Sequence, residues 1–144
     1  MKAIIVDDED LARQGLALRL AKIEGVSIVA ECANGKEALM AIIEHEPDIA
    51  FLDIQMPVMT GFELISEIQS DILPLIIFVT AYDAFAIDAF KVHAIDYLLK
   101  PVEEDRLVLA IEKARKAKEQ HSAMDEKQRL MELVVSVTGK SSSA

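Results

Sequence analysis

Short apolar runs alternate with segments of helical periodicity five times along this chain, and no other feature restricts the fold as strongly. Most of the runs are continuously apolar, as expected of strands that are covered by helices on both faces. The five strand candidates are Ala3–Val6, Val26–Glu31, Ile49–Leu52, Leu75–Val79 and Tyr97–Leu99. Such an alternation predicts βαβ units and a parallel sheet.

Helical segments are expected after each of these runs. The first follows the acidic residues behind strand one, the second covers about 36–44, the third begins after Gly61 and stops before Pro74, and the fourth covers about 84–91. The fifth starts near Glu103, and its acidic first turn and basic far end suit the helix dipole. With right-handed crossovers, we predict an α/β fold, a three-layer (βα)5 doubly wound parallel sheet of flavodoxin-like strand order 2-1-3-4-5.

Residues 121–144 differ in character from the rest of the chain. His121–Asp125 looks like a break, a helical patch follows from about Glu126 to Glu132, and Leu133–Val137 favours a β-strand. We therefore expect one domain over residues 1–120 and a linker over residues 121–144. The β-favouring stretch is a candidate first strand of a further, missing domain.

Charge and composition exclude several classes of function. The chain carries 15 basic and 25 acidic side chains, a net charge of −10, so it repels phosphate backbones. DNA binding would therefore need a domain that this sequence does not contain. The single cysteine, Cys32, excludes an internal disulfide and fits a reducing cytoplasm. No apolar stretch reaches the roughly 18 residues that cross a bilayer, so we expect a cytoplasmic protein without membrane contact.

Carboxylates follow two strands that the predicted order makes neighbours. Asp7 and Asp8 follow the first strand, and Asp53 follows the third. The carboxyl ends of such strands build the sites of open α/β sheets. Carboxylates that converge there repel one another unless a divalent cation joins them, and Mg²⁺ suits a site that also takes phosphate oxygens. The sequence therefore predicts a magnesium-dependent phosphate site.

Further polar groups arise at the same edge of the sheet. Thr80 and Ala81 follow the fourth strand, which places a hydroxyl beside the crevice. Lys100, followed by Pro101, ends the fifth strand and brings an ammonium group. Acids, a hydroxyl and a lysine thus come from the ends of four different strands.

Taken together, the ordered set Asp7-Asp8, Asp53…Pro57…Gly61, Thr80-Ala81 and Lys100-Pro101 resembles the receiver domain of two-component response regulators, over about residues 2–120. The resemblance implies that Asp53 accepts a phosphoryl group from a sensor histidine kinase. It implies a phosphoacceptor regulator, which catalyses only its own phosphorylation and dephosphorylation. The other implied roles are metal ligands for Mg²⁺ (Asp7, Asp8, Asp53 and the main-chain carbonyl of Gln55), phosphoryl contacts (Thr80, Ala81 and Lys100), a switch pair (Thr80 and Tyr97) and a cis bond before Pro101.

The stretches 80–90 and 94–101 are similar to receivers attached to the LytTR type of DNA-binding domain. This similarity implies control of transcription through an absent output domain. It also implies a homodimer through the face formed by helix four, strand five and helix five, which includes Phe85 and Phe90.

Alternative functions remain open at this point. A phosphatase of the haloacid dehalogenase type would need a second acid two residues after its nucleophile, where this chain has Gln55. A flavodoxin-type electron carrier would need a phosphate-binding loop after strand one, where acidic residues would repel the flavin phosphate. A stand-alone receiver that acts by protein–protein contact is a further alternative.

Overall fold

The computed structural model describes residues 1–82, 88–89 and 92–138. Its strands are β1 (Lys2–Val6), β2 (Ser27–Cys32), β3 (Ile49–Leu52), β4 (Leu75–Thr80) and β5 (Asp96–Leu99). Its helices are α1 (Asp10–Ala21), α2 (Gly35–His45), α3 (Gly61–Glu67) and α4 (Glu104–Thr138). The helix predicted over about 84–91 falls mainly outside the described residues, so α4 corresponds to the fifth helix of the sequence prediction.

The five strands form one parallel sheet in the order β2-β1-β3-β4-β5, which confirms the predicted flavodoxin-like topology. Alternate residues of β1 face opposite layers, as the strand period of two requires. Ala3 and Ile5 pack in the layer that holds α1 and α4, whereas Ile4 and Val6 pack in the layer that holds α2 and α3. The central strands are therefore buried on both faces.

Two helices begin with side-chain caps that fix the loops before them. The Asn34 side chain accepts a hydrogen bond from the Glu37 backbone N–H at 2.9 Å, at the start of α2. Thr60 and Glu63 form a reciprocal capping box at the start of α3. These caps satisfy backbone donors that a helix leaves unpaired. The second of them anchors the loop that follows Asp53.

The C-terminal helix corrects two predictions about the tail. α4 runs without interruption from Glu104 to Thr138, so the predicted break at His121–Asp125 and the predicted strand at Leu133–Val137 are wrong. The sequence of α4 contains neither glycine nor proline, and residues of high helix propensity dominate it. His121 Nε2 lies 3.5 Å from Asp125 Oδ2, four residues later in the helix. This pair stabilises the helix across the predicted break. Within the described residues, no helix is both long and apolar enough to span a membrane.

Candidate functional site

The candidate site is built on backbone that continues the sheet pairing past the strand ends. The backbone N–H of Asp53 donates to the Val6 carbonyl at 3.0 Å. The backbone N–H of Lys100 donates to the Thr80 carbonyl at 2.9 Å. Because each residue is held by the neighbouring strand, its position follows from the strand order.

Three carboxylates converge at this edge. Asp7, Asp8 and Asp53 each offer an oxygen, and these oxygens lie within 4.8 Å of one another. Asp7 and Asp53 are only 5% and 4% exposed, whereas Asp8 faces solvent. Hard oxygen donors in this number, with one side open to water, fit Mg²⁺. The predicted cluster is therefore present, and its donor set matches the predicted ion.

Lys100 bridges the two buried acids. Its Nζ lies 2.8 Å from Asp7 Oδ2 and 2.9 Å from Asp53 Oδ2, with Glu9 Oε1 farther away at 3.7 Å. Burial of the ammonium lowers its pKa, but the hydrogen bonds and charges of Asp7 and Asp53 outweigh that effect and raise the pKa of Lys100 to about 12. The lysine is therefore cationic throughout the physiological range and offsets the repulsion between the acids.

Local turns orient the two buried carboxylates. The backbone N–H of Glu9 donates to Asp7 Oδ1 at 2.9 Å, and the backbone N–H of Gln55 donates to Asp53 Oδ1 at 3.3 Å. In each acid, Oδ1 therefore accepts a hydrogen bond from the backbone N–H two residues later, and Oδ2 contacts Lys100. The Gln55 side chain is exposed, so only its main chain takes part in this arrangement.

The loop after Asp53 is tightly constrained. The Met59 backbone N–H donates to the Pro57 carbonyl at 2.8 Å across Val58, whose φ of 73° is rare for a β-branched residue. A Cβ at Gly61 would lie 2.7 Å from the carbonyl oxygen of Asp53, which is a backbone atom that cannot yield cheaply. Glycine is therefore required at 61 for the loop to close against Asp53.

The hydroxyl of Thr80 is linked to Tyr97 through one intervening residue. Thr80 is fully buried, and its Oγ1 accepts a hydrogen bond from the Tyr82 backbone N–H at 3.4 Å. The Tyr97 hydroxyl donates to the carbonyl of the same Tyr82. The Tyr97 ring packs near Phe78, with centroids 6.3 Å apart. The main chain of Tyr82 therefore connects the two predicted switch residues.

The outcome differs among the site residues predicted from sequence. The structure brings Asp7, Asp8, Asp53 and Lys100 together, and the bond between Lys100 and Pro101 is cis, as predicted. Ala81 is exposed next to Thr80. Phe85 and Phe90 lie outside the described residues. The functional roles of all these residues stay predictions.

Arg13 is a contributor that the sequence analysis missed. Its guanidinium donates to the Asp7 carbonyl at 2.7 Å and to Asp10 Oδ1 at 2.6 Å, and it lies 3.8 Å from Glu31. It therefore ties α1 and β2 to the loop that carries Asp7 and Asp8. The spacing of Asp10 and Arg13, three residues apart in a helix, is the signal that could have identified the pair.

Comparisons with known proteins agree with this geometry. Residues 3–112 match the family model of the response regulator receiver domain. An uncharacterized response regulatory protein of Yersinia pestis is 53% identical over 107 residues, which cover 74% of this chain and 45% of that protein. Transcriptional regulatory protein BtsR of Salmonella typhi is 43% identical over 136 residues, which cover 93% of this chain and 57% of BtsR. The chain therefore spans about half the length of these relatives.

A solved structure has a similar fold. The response regulatory domain of protein mrkE from Klebsiella pneumoniae superposes with a TM-score of 0.74 at 36% sequence identity. The match covers 83% of this chain and 99% of that domain.

Proposed function

Because this chain belongs to the family of response regulator receiver domains, we propose that it is a phosphorylation switch in which Asp53 accepts a phosphoryl group from a sensor histidine kinase. Receiver domains are signalling modules of two-component systems rather than enzymes that turn over a separate substrate. The observation that carries the proposal is the buried Asp53 carboxylate, oriented by Gln55 N–H and held by Lys100. The family match also favours this function over the phosphatase and electron-carrier alternatives.

The reaction at Asp53 is a displacement at phosphorus. A carboxylate oxygen forms a bond to phosphorus while the bond between phosphorus and the donor's imidazole nitrogen breaks, and the nitrogen keeps the electron pair. Little covalent assistance is needed, since phosphoryl transfer depends mainly on positioning and electrostatics. Lys100 supplies a fixed positive charge beside the attacking carboxylate, and Gln55 N–H holds its other oxygen.

The acidic cluster supports a role for Mg²⁺. Asp7, Asp8, Asp53 and the main-chain carbonyl of Gln55 are the groups that would hold the ion. When bound, Mg²⁺ neutralises negative charge on the phosphoryl oxygens. Lys100, which contacts Asp53, would make the same kind of contribution, and Thr80, with Ala81 beside it, would contact the remaining oxygens.

The link through Tyr82 supports a route from phosphorylation to output. A phosphoryl group at Asp53 would attract the Thr80 hydroxyl, which now accepts a hydrogen bond from Tyr82 N–H. Loss of that hydrogen bond would release the main chain at Tyr82. The carbonyl of the same residue accepts a hydrogen bond from the Tyr97 hydroxyl. Tyr97 would then turn inward and alter the face that includes β5 and the predicted fourth helix, which favours a homodimer there.

The relatives support an output in transcription. BtsR of Salmonella typhi is named a transcriptional regulatory protein, and it is nearly twice as long as the matched region. We infer that this receiver controls a DNA-binding domain, of the LytTR type suggested by residues 80–101, which lies beyond the residues described.

Phosphorylation of the purified chain tests the assignment. Incubation with a small phosphodonor and Mg²⁺ is expected to add one phosphoryl group, measured by intact-mass spectrometry. The increment should vanish in Asp53→Asn, because the nucleophilic oxygen pair is lost, and should persist in Asp71→Asn, an exposed acid outside the cluster. An undiminished increment in Asp53→Asn would refute Asp53 as the phosphoacceptor.

A further inference from the structure

The far half of α4 extends beyond the hydrophobic core. Ala114 is the last fully buried residue of the helix, and residues 118–137 are all exposed or half-buried. We call residues 119–138 the projecting segment. At 1.5 Å per residue it is about 30 Å long. An isolated helix of this length is only marginally stable in water, so a helix here is expected to gain stability from a partner.

The projecting segment exposes apolar side chains along one side. With 3.6 residues per turn, they share an arc of about 180°, and polar residues fill the opposite arc. The exposed apolar residues are Met124 (71%), Leu130 (62%), Met131 (53%), Leu133 (60%), Val134 (53%) and Val137 (78%). The polar arc contains His121, Asp125, Gln128, Arg129, Glu132 and Ser136. An apolar stripe of this kind, interrupted by Glu126 and Lys127, is typical of an interaction surface.

The spacing along the centre of the stripe is that of a coiled coil. Ala123, Lys127, Leu130, Val134 and Val137 follow one another at intervals of four, three, four and three residues. This is the heptad repeat, with Val134 at an a position and Leu130 and Val137 at d positions. A β-branched residue at a with leucine at d favours two parallel strands, and a single lysine at a fixes register.

Net charge does not oppose association of two identical segments. Residues 121–144 contain three acidic and three basic side chains, so the net charge of −10 resides in residues 1–120 (acidic: Asp125, Glu126, Glu132; basic: Lys127, Arg129, Lys140). In a parallel, in-register pair, the two Lys127 side chains share one layer, and each also lies beside Glu126 of the other copy. An antiparallel pair that keeps the heptad layers would instead set Lys127 against Val137 of the second copy.

We propose that a second copy of this chain covers the stripe, forming a parallel two-stranded coiled coil over residues 123–137. This contact is separate from the phosphorylation-dependent face that includes β5, and it forms without a phosphoryl group. Two heptads bury a small interface, so the dissociation constant is expected to be about 10–100 μM. The coil would hold two receivers together before either is phosphorylated.

Sedimentation of the unphosphorylated 144-residue chain over a range of concentrations tests the contact. We expect reversible dimerisation that is unchanged in Asp53→Asn, which separates this proposal from the phosphoacceptor assignment. Leu130→Asp should raise the dissociation constant at least about tenfold, because it places charge in the apolar seam. Ser136→Asp adds the same charge on the polar arc and should leave the constant unchanged. A chain that stays monomeric, or equal effects of the two variants, overturns the proposal.

Disulfide trapping tests the orientation. In a Cys32→Ala background, Val137→Cys should form a covalent dimer on mild oxidation at least ten times faster than Ser136→Cys, since a parallel pair brings the two copies of this d position together and an antiparallel pair holds them apart. Circular dichroism of each variant checks that the helix persists. Equal trapping rates contradict the parallel coil, and faster trapping at position 136 would assign the contact to the polar arc instead.

Discussion

The carboxyl edge of the sheet and the projecting segment of α4 depart from ordinary protein surface in opposite ways. At the edge, charge is buried: Asp7 and Asp53 are almost inaccessible and share Lys100. In the projecting segment, apolar groups are exposed, with Leu130 and Val137 more than 60% accessible. Buried charge and exposed hydrocarbon both cost free energy unless a second group compensates them.

The two regions differ in where that compensation comes from. At the edge, Lys100 supplies it from within the chain, and the acids are ready for a cation and a phosphoryl group. In the projecting segment, the exposed apolar side chains lie beyond the residues that pack the core. A second molecule would therefore have to cover them. The first region is therefore stabilised within one chain, whereas the second would gain its full stability on the proposed association.

The largest effect is expected when a core leucine of α4 is compared with a leucine of its projecting segment. Leu107 is fully buried, whereas Leu133 is 60% exposed in the projecting segment. Leu107→Ala is expected to lower the free energy of unfolding by about 2–5 kcal/mol, because it leaves a cavity in the core. Leu133→Ala should change it by less than about 0.5 kcal/mol at concentrations where the chain is monomeric. Urea denaturation measures both, and similar losses in the two variants would contradict the contrast.

A smaller effect is expected at the charged edge. Lys100→Met leaves Asp7 and Asp53 without their shared cation and should lower the free energy of unfolding by about 2 kcal/mol in EDTA. Mg²⁺ should recover part of that loss, because it replaces the missing positive charge. Lys118→Met, which breaks a surface pair with Asp48, should cost less than about 1 kcal/mol and show no response to Mg²⁺. A Lys100→Met protein as stable as the parent in EDTA would disprove this account of the edge.

The smallest effect concerns Asp96, which joins β5 to the core-packed half of α4. Burial raises the pKa of Asp96, but hydrogen bonds from Arg106, the Tyr97 backbone and Lys113 outweigh it, so the pKa lies below its usual 3.8. The ionised carboxylate therefore stabilises the fold above about pH 3.8, and this contribution is lost as pH falls through the lowered pKa. The stability difference between the parent and Asp96→Asn should shrink below pH 3.8. A difference that stays constant down to pH 2 would contradict the assignment.

The sheet could be predicted from the apolar runs, and most of the acidic site could be predicted from the polar residues that follow them. Short continuous apolar runs that alternate with helical segments indicate the strands of a parallel sheet, and the order 2-1-3-4-5 then brings Asp7, Asp8 and Asp53 together. The sequence is less informative about the buried side of α1, since Leu11 and Leu18 are 84% and 70% exposed while Leu16 and Leu20 are buried. Four-residue periodicity alone does not say which side of a helix meets the sheet.

The tail was predicted wrongly for a different reason. Its valines favour strands when they pair with neighbouring strands, but β-propensity depends strongly on such packing. No glycine or proline interrupts α4, so the helix that begins at Glu104 continues through these valines. The contact of Arg13 with the backbone carbonyl of Asp7 leaves no trace in sequence, and only the Asp10–Arg13 spacing indicates that Arg13 has a partner.

One consequence of the uninterrupted α4 is mechanical. The helix is fixed to the sheet through Leu107, Ala110, Ile111 and Ala114, and its axis then continues for about 36 Å to Thr138. A stiff rod held at one end magnifies small rotations at its base. A tilt of roughly 5° about Ala114 would sweep the far end through about 3 Å, a displacement comparable to the width of an atom. Sub-ångström repacking beside β5 would thereby become a displacement of several ångströms at Thr138.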